Sequence, residues 1–157
     1  MFTISDLRTI AIQIERNGEA AYRRASARAK DPELKKLLAR MADDEQKHLQ
    51  WFESLKTAET VACELNELET LGQALLQDMM NEQTFSLDET DLARAENMVA
   101  LLERSHAFEK DTILFYEMLH GFLEEAGAIA HLQRIIEEER AHVRMLREAR
   151  AQKRDGA

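Results

Sequence analysis

One four-residue pattern occurs twice in this chain and constrains its fold more than any other feature. Glu15, Tyr22, Glu45 and His48 return as Glu109, Tyr116, Glu139 and His142, each 94 positions further along. The surroundings repeat as well. IERN aligns with FEKD, and LARMADDEQKHLQWF aligns with LQRIIEEERAHVRML, which pairs Leu38 with Leu132, Arg40 with Arg134, Asp43 with Glu137 and Asp44 with Glu138. A duplicated helical hairpin explains this, each copy pairing a helix that carries one Glu with a helix that carries Glu-x-x-His. The two copies supply four carboxylates and two imidazoles, a set suited to two metal ions held inside a four-helix bundle.

The 157 residues suit one domain with a substantial core, and one Pro with five Gly leaves little material for turns, so the helices should be long. The fold class expected is all-α, with hairpin 1 over about 4–56, a connecting segment over about 57–90 and hairpin 2 over about 92–151. The first helix should open near Thr3 to Ser5, where Thr3 and Asp6 have capping-box spacing, and run to about Lys30. Asp31-Pro32 reads as an N-cap and first helical residue, opening a helix toward Lys56. The stretch ELNELETLGQALLQDMMNEQ has apolar periodicity for one or two shorter connecting helices. After it a long helix is expected from about Leu92 to near Leu123, then EEAGA leads into the last helix, ending near Ala151.

Alternating steps of three and four trace the apolar stripe of each helix. The stripes run from Ile4 through Glu15, Gly18 and Tyr22 to Ala29, and from Leu34 through Glu45, His48 and Phe52 to Leu55. In the second copy they run from Met98 through Glu109, Thr112 and Tyr116 to Leu123, and from Ala128 through Glu139 and His142 to Ala149. All six potential ligands fall on stripes whose central parts contain no Arg or Lys. Burying an ionised carboxylate costs several kcal/mol, and with no internal cation to offset four of them, two divalent ions are the natural compensation. The three-residue spacing of Glu45 and His48, and of Glu139 and His142, puts both side chains on one face, where they can converge on one ion.

Oxygen and nitrogen ligands suit iron or manganese, with zinc able to enter artificially, and the single Cys63 excludes a thiolate-rich site. Cys63 is expected to be structural. Tyr22 and Tyr116 lie two turns beyond Glu15 and Glu109. Each either orients a ligating carboxylate from a neighbouring helix or simply packs in the core. Trp51 and Met145 are assigned to the core, and Asp43, Asp44, Glu137 and Glu138 to the solvent face. His106, whose counterpart is Ile12, is a hydrogen-bond donor to the site, an alternative ligand or a partly exposed helix-edge residue, and Glu19 is similarly ambiguous.

A net charge of −9 argues against nucleic acid as a partner. With no basic leader and no apolar stretch long enough to span a bilayer, no membrane partner is expected and a cytoplasmic protein is.

IERNGEAAYRRA, DDEQKHLQWF, FEKDTILFYEML and EEERAHVRML together resemble the rubrerythrin branch of the ferritin-like superfamily, over roughly residues 5–56 and 95–150. The resemblance implies a ferritin-like bundle with two iron ions. Glu15 and His48 would be terminal ligands of one ion, Glu109 and His142 of the other, with Glu45 and Glu139 bridging. Rubrerythrins typically carry a rubredoxin module with four cysteine ligands, which this chain lacks, so a separate electron donor is implied. The family pattern also has a further carboxylate one turn beyond the third-helix ligand, where this chain has Thr112.

The activity expected is reduction of hydrogen peroxide or oxygen with oxidation of ferrous iron. The alternatives are a non-catalytic iron-binding or storage protein, for which a shell-like assembly would be needed, and a metal-free scaffold. A homodimer is the expected assembly.

Overall fold

The computed structural model describes residues 4–56 and 95–155, together with Thr70, Gly72 and Ala74. The expected capping box at Thr3, the helical periodicity of the connecting segment and Cys63 lie outside the described residues, apart from those three positions.

Four helices make up the bundle among the described residues: α1 (Ile4–Arg28), α2 (Pro32–Ser54), α3 (Ala95–His120) and α4 (Ala126–Asp155). The boundaries follow local chemistry. Asp31 adopts an extended conformation and its carboxylate accepts the Glu33 N–H at 3.1 Å, capping α2 just before Pro32, whose missing N–H would have been unpaired there anyway. Glu125 caps α4 in the same manner, accepting from Gly127 N at 2.8 Å and Ala128 N at 2.7 Å. Between α3 and α4, Gly121 N and Phe122 N donate to Met118 O and Leu119 O, which tightens the end of α3 into the turn.

Each helix packs chiefly on its hairpin partner, α1 on α2 and α3 on α4, and α2 also packs on α4. Arg8 Nη1 donates to Leu55 O at 2.9 Å, tying the start of α1 to the end of α2 as an antiparallel hairpin requires. Ser26 donates to Lys35 O at 2.8 Å and closes the opposite end.

The stripes read from the sequence are the buried faces, with Ile4, Leu123 and Ala149 only half-buried at the ends. Apolar residues gather in two clusters. One contains Leu7, Ile14, Phe52, Phe115, Tyr116 and Leu132, and the other contains Tyr22, Leu38, Met41, Leu102 and Leu146. A fully buried side chain of the Leu or Phe kind contributes about 1.5–3 kcal/mol, so these clusters hold the helices together and carry the cost of the polar layer among them. No helix among the described residues is long and apolar enough to cross a membrane.

Candidate metal centre

The polar layer consists of the six residues singled out by the repeat. Glu15, Glu45, Glu109 and Glu139 are 0% exposed, His142 1% and His48 2%. They form two groups with mutually close ligand atoms: Glu15, Glu45, His48 and Glu139 in one, and Glu45, Glu109, Glu139 and His142 in the other. Glu45 and Glu139 belong to both, which is the placement required of residues that bridge two ions.

Both imidazoles aim Nδ1 inward. His48 Nδ1 lies 2.8 Å from Glu139 Oε1 and 3.4 Å from Glu15 Oε1. His142 Nδ1 lies 3.3 Å from Glu45 Oε1 and from Glu139 Oε2. These atoms are close but not aligned as hydrogen bonds, and Glu15 Oε2, Glu109 Oε2, both oxygens of Glu45 and of Glu139, and both Nδ1 atoms are buried without a hydrogen-bond partner. Buried polar atoms normally find partners, and a layer of them converging on shared points could hold metal ions.

The outer contacts cross between hairpins. Tyr22 of α1 donates to Glu109 Oε1 of α3 at 2.7 Å, and Tyr116 of α3 donates to Glu15 Oε1 of α1 at 2.6 Å. Of the two roles open to the tyrosines, orientation of a carboxylate on a neighbouring helix is therefore the one the geometry shows. Burial and the nearby carboxylates push both phenols well above their ordinary range, so both remain donors.

Asp44, expected on the solvent face, is half-buried, and Glu138, exposed as expected, makes a contact the sequence did not indicate. Asp44 Oδ2 of α2 lies 3.0 Å from His142 Nε2 of α4, and Glu138 Oε2 of α4 lies 2.5 Å from His48 Nε2 of α2. Their side chains are 23% and 54% exposed, so only Glu138 retains a largely solvated face. A residue next to a ligand on its own helix is rotated off the stripe, but the adjoining helix brings the outer edge of its imidazole to that place. Asp43 and Glu137 are exposed as expected.

Thr112 is buried, and its hydroxyl donates to Phe108 O at 2.9 Å rather than to a ligand. Its counterpart Gly18 leaves room for Glu45: a Cβ at Gly18 would stand 2.8 Å from Glu45 Oε2. His106 joins neither ligand group. It is half-buried near Arg150, Lys110 and Arg147, and burial together with those charges lowers its pKa. Glu19 pairs with Arg23 at 3.3 Å. Trp51 and Met145 are half-buried rather than core, because Phe52 and Leu146 beside them take the inward direction.

The electrostatics show what the layer does without a cation. Burial, then the charge of Glu139, pushes Glu45 and Glu109 well above the usual carboxylate range. Burial acts on Glu139 in the same sense, but its contacts with Glu109, His142 and His48 outweigh it and hold that group well below the range. Burial alone would lower both histidines. The charge of Glu15 and contacts with Glu138 and Glu139 raise His48 instead, and Asp44 leads the contacts that raise His142. Without a cation these shifts favour the protonated forms of Glu45, Glu109, His48 and His142, and a divalent ion entering the layer would compete with protons.

The family model for rubrerythrin matches residues 7–150. No curated protein matches the chain. A solved structure from Thermotoga maritima, described as a ferritin-like diiron-carboxylate protein, superposes with a TM-score of 0.66 at 23% identity, covering 99% of this chain and 97% of that one. That likeness establishes a shared fold.

Proposed function

The chain belongs to the rubrerythrin family, and from that premise we propose that it holds two iron ions in the carboxylate layer and reduces hydrogen peroxide or oxygen as the iron is oxidised. The observation that carries this reading is the set of eight inward-facing carboxylate and imidazole atoms in the layer that are buried without hydrogen-bond partners. Each such atom costs about 1–3 kcal/mol, more when charged, and two divalent cations satisfy all of them at once. Glu15 and His48 would hold one ion and Glu109 and His142 the other, with Glu45 and Glu139 shared between them.

Bound ferrous iron would supply the two electrons that convert peroxide to water. The chain supplies the rest. Tyr22 and Tyr116 fix the terminal carboxylates, while Glu138 and Asp44 fix the imidazole rings through Nε2. The apolar clusters keep bulk water from the layer. A separate electron donor is part of the proposal.

Elemental analysis after anaerobic iron reconstitution should give close to two iron ions per chain. Stopped-flow mixing of the diferrous protein with peroxide or with oxygen should then show its oxidation. A metal ratio near zero, or a diferrous protein inert to both oxidants, overturns the reading.

A further inference from the structure

Aromatic rings run without a break from the surface to one end of the carboxylate layer. His131 and Trp51 stack almost parallel, with centroids 4.6 Å apart and planes at 4°. Trp51 meets Phe52 edge-on at 5.0 Å, and Phe52 tilts against Tyr116 at 5.2 Å. Tyr116 then donates to Glu15 Oε1 at 2.6 Å. The outer end faces a cleft of about 410 Å³ whose wall includes Lys47, His48, Trp51, His131, Arg134 and Glu138. Arg134 Nη2 lies 3.0 Å from His131 Nδ1 and holds the imidazole in place against the indole.

The other half of the duplicated scaffold lacks this path. The counterparts of His131, Trp51 and Phe52 are Leu37, Met145 and Leu146. Tyr22, the partner of Glu109, accordingly shares its cluster with Leu146 where Tyr116 has Phe52. Since aliphatic side chains fill the same places in the second copy, packing does not demand the rings. Trp and Tyr are the side chains that most readily give up a single electron, and here they mark the two ends of a ring contact chain.

We propose that Trp51, Phe52 and Tyr116, with His131 as the outer plate, pass electrons one at a time between the cleft and the Glu15 end of the metal layer. This rests on the redox reading above. With an oxidant in the layer strong enough to oxidise a phenol, the Tyr116 ring would give up one electron while its phenol proton moves along the hydrogen bond to Glu15. Trp51 refills the ring across Phe52 and the proton returns. A one-electron reductant docked in this cleft refills Trp51 and is itself oxidised by one electron. No bond in the relay is left changed.

Pulse radiolysis of the metal-free full chain tests this. Azidyl radical takes an electron from Trp51, the chain's single tryptophan, and is reduced to azide. The indolyl absorption should then decay as a tyrosyl absorption rises, at a first-order rate independent of protein concentration. Tyr116→Phe should lose that transfer and Tyr22→Phe should retain it. Phe52→Leu, which installs the residue found at the equivalent position of the second copy, should slow it and guards against misfolding of the tyrosine variant. Absence of intramolecular transfer in the parent chain, or the same rate in all the variants, overturns the relay. Because the readout involves no iron, its failure leaves the metal proposal standing, and a failure of iron binding leaves the relay measurement intact.

Discussion

Replacing Gly18 by Ala should move the stability of the metal-free chain and its metal affinity in opposite directions. Gly18 lies inside α1, where a glycine costs about 1 kcal/mol relative to alanine, so the substitution favours the helix by up to that amount. The new Cβ would stand 2.8 Å from Glu45 Oε2, and an ordinary separation of 3.4 Å returns only if the carboxylate withdraws by about 0.6 Å. Glu45 is the far end of a flexible side chain, so this is easily done when nothing binds it. It is also shared by both candidate ligand groups, so the same retreat would disturb both. For a chain of this length 1 kcal/mol corresponds to roughly 2–4 °C, and the metal-free melting temperature should rise by up to that amount. Metal affinity should fall on the order of tenfold or more, as when a ligand's positioning is disturbed. Calorimetry with and without metal, together with chelator competition, measures both. If Gly18→Ala lowers the metal-free melting temperature and leaves the metal-dependent increment intact, the clash is absorbed by the helix backbone and the reasoning fails.

Glu45→Ala and His48→Ala should each remove most of the metal-induced rise in melting temperature, and an increment equal to that of the parent chain would exclude them as principal ligands. Asp44→Asn and Glu138→Gln should weaken metal binding about 10–100-fold, read by competition with a chromophoric chelator, because each leaves a histidine without its anchoring carboxylate. In the metal-free chain, the raised pKa values of Glu45, Glu109, His48 and His142 mean that the folded state keeps protons the unfolded chain releases near 4.5 and 6.5. Stability should therefore fall as pH rises past those values, while the lowered Glu139 works in the opposite sense only near and below 4.5. Metal replaces the protons, so the metal-induced increment should grow over the same rise in pH, and a flat increment in thermal melts would refute this. Thr112→Glu should raise the stopped-flow preference of the diferrous protein for peroxide over oxygen, and an unchanged ratio would show that the position does not set it.

The hairpins and all six members of the polar layer were legible in the sequence because two signals agreed: a helical period for burial and a repeat for chemical identity. The tyrosine contacts were legible only as one of two possibilities, since a stripe position tells that Tyr22 is inside but not which helix receives its hydroxyl. Asp44 was misread, and the imidazole contact of the solvent-facing Glu138 missed, for a related reason. Their angle on α2 and α4 points away from their own helix's stripe, and only the crossing of those helices reveals the imidazole waiting there. A signal was nevertheless present, for the repeat keeps an acid before each shared Glu. Trp51 was misjudged because an aromatic three residues past His48 suits the stripe, yet Phe52, one step on, takes the inward place. Gly18 gave no warning at all: its value lies in the closeness of Glu45, which is a tertiary distance.

The crosswise contacts, in which each hairpin orients the ligands of the other, have a genetic consequence. A lone hairpin paired with a second copy of itself could reproduce every one of them, but each substitution in its gene would then appear at both ends of the layer. With the two hairpins encoded in tandem, a change can enter one end while the other keeps the inherited arrangement. Gly18 opposite Thr112 and Trp51 opposite Met145 are differences of that kind, open to a chain that encodes its halves separately and closed to a symmetric pair.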